Sequence, residues 1–130
     1  MKFFGIIFCG LTYLLPLVSV AQSVDTVTIM TYNLLYYRET TSFCSNSNNN
    51  PSTKDGAMED IIDHVVPDIL VVNEMGGSNS LSPARLERNA LNKNGRNFYT
   101  HASLTGGSQN LINVLYFNKN KSDMRNNNKI

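Results

Sequence analysis

Two short apolar runs constrain this chain more than any other feature. They are Val27–Asn33 (Val-Thr-Ile-Met-Thr-Tyr-Asn) and Pro67–Glu74 (Pro-Asp-Ile-Leu-Val-Val-Asn-Glu), and one helical pattern lies between them. Both runs are rich in β-branched residues, which suit strands. Two strands joined by a crossover helix are parallel, and the crossover is normally right-handed. Their carboxyl ends then meet at one edge of a sheet, where open sheets place ligand sites. Each run ends in a side chain with a hard oxygen, Asn33 or Glu74.

The first strand candidate extends over Val24–Tyr37. Its nearly continuous apolar end predicts a strand covered on both faces. A loop follows over 38–53, with Asn46, Asn48, Asn49, Asn50 and Pro51 crowded together. It reads as a solvated insertion. In the helix, Ser52 is the predicted N-cap and Asp55, three residues on, an acidic variant of the capping box. Ala57 and Met58, Ile61 and Ile62, Val65 and Val66 recur four apart and form one apolar stripe. Asp55, Glu59, Asp60, Asp63 and His64 fall off that stripe. Pro67 stops the helix, and His64 in its last turn faces solvent beside the negative helix end.

Past Glu74 the pattern continues with shorter elements. Met75–Ser82 is a loop with Gly76 and Gly77. Ser82 is predicted to cap a second helix with Pro83 at its first position. Leu81 and Leu86 are spaced for a hydrophobic staple. Arg85, Glu87, Arg88 and Asn89 form the exposed face, and Asn94-Gly95 ends the helix. Phe98–Ser103 and Leu111–Phe117 read as strands. Gly106-Gly107-Ser108 between them reads as a hairpin turn, because no helix carrying a Lys-Ser/Thr pair follows it as a phosphate cradle requires. Residues 118–130 are polar and low in complexity, and read as a disordered or truncated end.

Residues 1–21 have the form of a cleavable signal peptide. Lys2 precedes a mostly apolar stretch, Phe3–Val18, and Ser19-Val20-Ala21 supplies the small residues of a cleavage site. A secreted or periplasmic product is expected, with residues 22–117 as the folded part and no membrane span in the mature chain. The full sequence has 11 Lys and Arg against 10 Asp and Glu. Removing Lys2 leaves the two signs equal, so no global basic field draws in nucleic acid. Of two cysteines, Cys9 leaves with the signal. Cys44 then stands alone, which excludes an intrachain disulfide and a cysteine-rich metal site in the mature chain.

Asn33 and Glu74 offer a carboxamide oxygen and a carboxylate. Such donors suit Mg2+, Mn2+ or Ca2+ better than zinc or copper. No Lys or Arg lies within ten residues of Glu74, so a local ion pair is not available to it. A carboxylate at the end of a buried strand needs a partner. A cation would serve; solvent is the alternative.

With their flanks, these residues resemble a known opening. A strand ending Tyr32-Asn33, a helix, then Pro67-Asp68-Ile69 and a strand ending in Glu74 are similar to the start of the endonuclease/exonuclease/phosphatase superfamily, the deoxyribonuclease-I-like fold. Asn73 stands where that family more often has Gln. Asn113–Lys119 (Asn-Val-Leu-Tyr-Phe-Asn-Lys) is similar to a later strand of the family. The resemblance covers Val27 to Lys119. It implies a four-layer α/β sandwich and hydrolysis of phosphodiesters or phosphomonoesters. It implies a divalent metal, Mg2+ or else Mn2+ or Ca2+, with Asn33 and Glu74 matching the family's metal-binding Asn and Glu. Nucleic acid or another phosphodiester would be the substrate.

The family's later motifs, an Asp-x-Asn and a closing Asp-His, do not occur after Glu74. His101 falls in a predicted strand and reads as an ordinary strand residue. Asp123 is the only acidic residue after Glu87. Catalytic residues therefore stay unassigned. The chain reads as the N-terminal part of a secreted, metal-dependent phosphoric-ester hydrolase, inactive alone. The alternative is a secreted, non-catalytic binding or surface module that keeps part of the fold.

Overall fold

A strand–helix–strand unit forms where the two apolar runs predict it. The computed structural model describes residues 25–77, 80–102 and 110–123. The predicted signal peptide and the predicted turn at Gly106–Ser108 lie outside them. In order come β1 (Ile29–Tyr37), α1 (Pro51–Val65), β2 (Ile69–Gly76), α2 (Ser82–Leu86), a π-helical turn (Glu87–Leu91), β3 (Tyr99–His101) and β4 (Leu111–Asn118). The class is α+β. The four strands form one mixed sheet in the order β1-β2-β4-β3. β1 and β2 are parallel, with Ile29 opposite Ile69 and Asn33 opposite Asn73. β4 runs antiparallel to both β2 and β3.

Alternation along the strands decides which face is covered. Leu34, Leu70, Val72, Val114 and Tyr116 point to one face, where they pack with Met58 and Ile62 of α1 and with Leu86, Ala90 and Leu91. The opposite face carries Ile29, Ile69, Val71, Leu115 and Phe117. There Ile29 is 64% exposed and Leu115 38%. β1 is thus an edge strand with one open face, not the doubly covered strand its composition predicts.

α1 starts earlier than predicted. Asn50, not Ser52, is the N-cap, and its Oδ1 accepts from the Ser52 and Thr53 N–H groups at 2.8 and 3.3 Å. The reason is Pro51, whose fixed φ and missing donor suit the first helical position. At the far end Val66 takes a left-handed conformation and donates back to the Ile62 carbonyl before Pro67. His64 is exposed in the last turn, as the sequence predicts. The stripe is narrower than predicted: Met58 and Ile62 are buried, while Val65 and Val66 are 40% and 44% exposed.

The second helix departs further. Leu81 occupies the cap position without a side-chain cap, and Ser82 is helical and buried. Leu81 is 66% exposed, so the predicted staple to the buried Leu86 does not form. Only Arg88 of the predicted exposed face is exposed. The described structure runs past Phe117. Asn118 ends β4, and Lys121 pairs with the buried Asp68 at 2.8 Å. Among the described residues no helix is long and apolar enough to cross a membrane, and Cys44 is a buried free thiol.

Candidate metal centre at the ends of β1 and β2

The parallel register carries Asn33 and Glu74 to the same sheet edge. Both strands then break their pairing at this level, β1 between Asn33 and Tyr37 and β2 between Val72 and Met75. The break is built from residues that avoid such backbone. Leu35, Tyr36 and Glu74 have φ of 45°, 55° and 56°. Left-handed conformations of this kind cost roughly 1–3 kcal/mol each for non-glycine residues and gather at functional sites.

Asn33 and Glu74 touch. The Asn33 Nδ2 donates to Glu74 Oε1 at 2.8 Å. The Asn33 Oδ1 accepts from the Leu35 N–H at 2.7 Å, which fixes the turn out of β1. Glu74 Oε2 is buried with no hydrogen-bond partner. A buried carboxylate oxygen without a partner carries the desolvation cost of a charge and recovers none of it. That orphaned oxygen fits a hard cation. The Asn33 oxygen keeps one lone pair for the same purpose, and water would fill the remaining positions, as around Mg2+. Among the described residues no group of three or more His, Cys, Asp or Glu side chains could hold a metal. Any cation at this edge would rest on the Asn33–Glu74 pair and backbone oxygens.

The sequence gives no hint of the third member of this edge. Lys54, in the first turn of α1, donates from Nζ to the Leu34 carbonyl and to the Leu35 carbonyl, the latter at 2.5 Å. Burial lowers its pKa from the usual lysine value, and nearby Cys44 and Glu74 oppose that electrostatically. A cavity of about 210 Å3 opens between α1 and the end of β1, lined by Asn33, Leu35, Lys54 and Met58 among others.

A second polar cluster, around Asp55, differs from the sequence expectation. Asp55 does not cap α1 or face water; it is 5% exposed. Its Oδ1 accepts from the Tyr37 hydroxyl at 2.5 Å. Its Oδ2 accepts from Arg85 at 2.7 Å and from Asn89 at 3.0 Å. Burial, then the Asp55 carboxylate, pushes the Tyr37 phenol far above its ordinary value. Burial alone would lower the Arg85 guanidinium, but Asp55 and Tyr37 together outweigh it and the net shift is upward. Arg85 also lines a polar cavity of about 440 Å3 with Arg38, Glu39, Asn49 and Ser52.

His101 lies in β3, as the sequence predicts. Its Nδ1 sits 2.5 Å from Glu87 Oε2, and its ring tilts against Tyr116. This contact ties β3 to the π-helical turn. Comparison of the chain with protein-family models, with curated proteins and with solved structures gave no match.

Proposed function

We propose that the β1/β2 edge binds a divalent cation, Mg2+ or else Mn2+ or Ca2+, as part of a secreted phosphoric-ester hydrolase of deoxyribonuclease-I-like type. The observation that carries this reading is the buried Glu74 Oε2, which has no hydrogen-bond partner and lies beside Asn33 at two strand ends. Asn33 and Glu74 would hold the cation. Bound there, it supplies charge neutralisation to a phosphate and its leaving oxygen. Asn33 orients the carboxylate through its amide and fixes the adjoining turn through its oxygen. Nucleic acid or another phosphodiester is the substrate class. The open sheet face of Ile29, Ile69, Val71, Leu115 and Phe117 supports the four-layer reading, because sandwiches bury such a face under a second sheet. No general base is assigned, and His101 is engaged with Glu87.

A second reading is a non-catalytic binding or surface module. It is favoured by the Asn33–Glu74 hydrogen bond, which forms with protein groups alone. One experiment separates the two. Calorimetric titration with Mn2+ should show binding that weakens at least about tenfold in Glu74→Gln, since a charged ligand is lost. Equal affinity in the two proteins, or no binding to either, would leave the module reading standing.

A further inference from the structure

We propose that the Lys54 ammonium is a tethered cation seated on the oxygens at the end of β1, and that a divalent cation binds there only in competition with it. The inference rests on the cation site proposed above and concerns its regulation.

The geometry is that of a cation held by oxygens. The Lys54 ammonium is held by two successive backbone carbonyls, those of Leu34 and Leu35. The left-handed φ of Leu35 and Tyr36 takes this stretch out of regular strand geometry, and the register with β2 is lost over it. Carbonyl oxygens in such a turn are the hard donors that Ca2+ and Mg2+ use. Glu74 lies close enough for its charge to act on Lys54, yet no ion pair joins them, and Glu74 Oε2 has no hydrogen-bond partner.

The position of Lys54 is unfavourable on local grounds. It is the fourth residue of α1. A cation in the first helical turn is opposed by the positive end of the helix dipole. The side chain reaches away from its helix to the β1 carbonyls, so the contact is tertiary. The ammonium thus performs electrostatically what a bound metal ion would, with one charge in place of two. Removing it frees two carbonyl oxygens and lifts a repulsion on any cation at Glu74. The larger, more oxygen-rich Ca2+ should benefit more than Mg2+.

The test is Mn2+ binding to the full chain at fixed pH, read by electron paramagnetic resonance. Lys54→Met should tighten binding by on the order of tenfold. Lys54→Gln serves if the Met variant does not fold. Lys54→Arg keeps the charge and should stay close to wild type. The double variant Lys54→Met with Glu74→Gln should return to weak binding. Unchanged or weaker binding in both neutral variants would overturn the tethered-cation role while leaving the Glu74 site intact. Wild-type binding that is indifferent to Glu74→Gln would overturn the site itself, and this inference with it.

Discussion

Tyr37 and Asn33 stand four residues apart on one strand, and each meets a carboxylate from elsewhere in the fold. The outcomes are opposite. Asp55, facing Tyr37, has both oxygens engaged, by Tyr37, Arg85 and Asn89. Glu74, facing Asn33, has one oxygen engaged and one buried without a partner. A saturated carboxylate is a structural joint: Asp55 binds α1 to β1 and α2. An unsaturated one on left-handed backbone retains capacity for a ligand. Both carboxylates lie close to polar partners; the difference is in how many of their oxygens are engaged.

Among single substitutions, the largest effect should follow from removing Asp55, whose two oxygens are both engaged. Asp55→Ala leaves Tyr37 and Asn89 without their acceptor and Arg85 with the weaker Ser52 Oγ contact. It should cost about 3 kcal/mol of stability by urea unfolding, below the upper end for a buried pair because Arg85 is partly exposed. A change under 1 kcal/mol, the scale of an exposed pair, would show that Asp55 is no joint.

Alkaline pH should also destabilise the fold, progressively. Burial pushes Tyr99 up to about 12, and burial also raises Tyr37 and Tyr116. The folded pKa values lie above the unfolded value of about 10, so the contribution is complete below pH 10 and is lost as pH rises past it. Each phenol should remove up to roughly 1.4 kcal/mol per pH unit until its folded pKa is reached. Unfolding curves from pH 9 to 12 should show a steepening loss, and Tyr37→Phe should make it shallower. A flat profile would contradict the burial of these phenols.

Glu74→Gln should leave the unfolding free energy within about 1 kcal/mol of wild type, because the amide oxygen still accepts from Asn33. A loss as large as that of Asp55→Ala would make the two carboxylates equivalent and remove the distinction. The smallest effect belongs to Lys121→Met. The hydrogen bond from Lys121, then that from the Thr28 N–H, holds Asp68 below the usual carboxylate range. Stability from this pair is present above about pH 4 and is lost as pH falls below it. The variant should flatten that acid limb, and added salt should mimic it.

The same contrast explains what was legible in the sequence. Asn33 and Glu74 could be paired because parallel strands set their register along the backbone, and apolar runs with Pro67 between them mark both strands. Helix periodicity found Met58 and Ile62. Asp55 was misplaced because its fate depends on Arg85, thirty residues away, and not on its own helix. Lys54 was missed for the same reason, since its partners are carbonyls that carry no side-chain signature. Asn50 displaced Ser52 as the cap because Pro51 fixes where the first turn starts. Local rules placed the elements; tertiary hydrogen bonds decided which polar residues are joints and which remain open.

The claim that the open pair is a cation site can be mapped directly. A 15N-labelled chain titrated with Mn2+ should lose amide signals first around Asn33 to Leu35 and Glu74 to Met75, through paramagnetic broadening, and Glu74→Gln should abolish that pattern. Broadening centred instead on the exposed acids of α1, Asp60 and Asp63, with the strand ends left sharp, would contradict it.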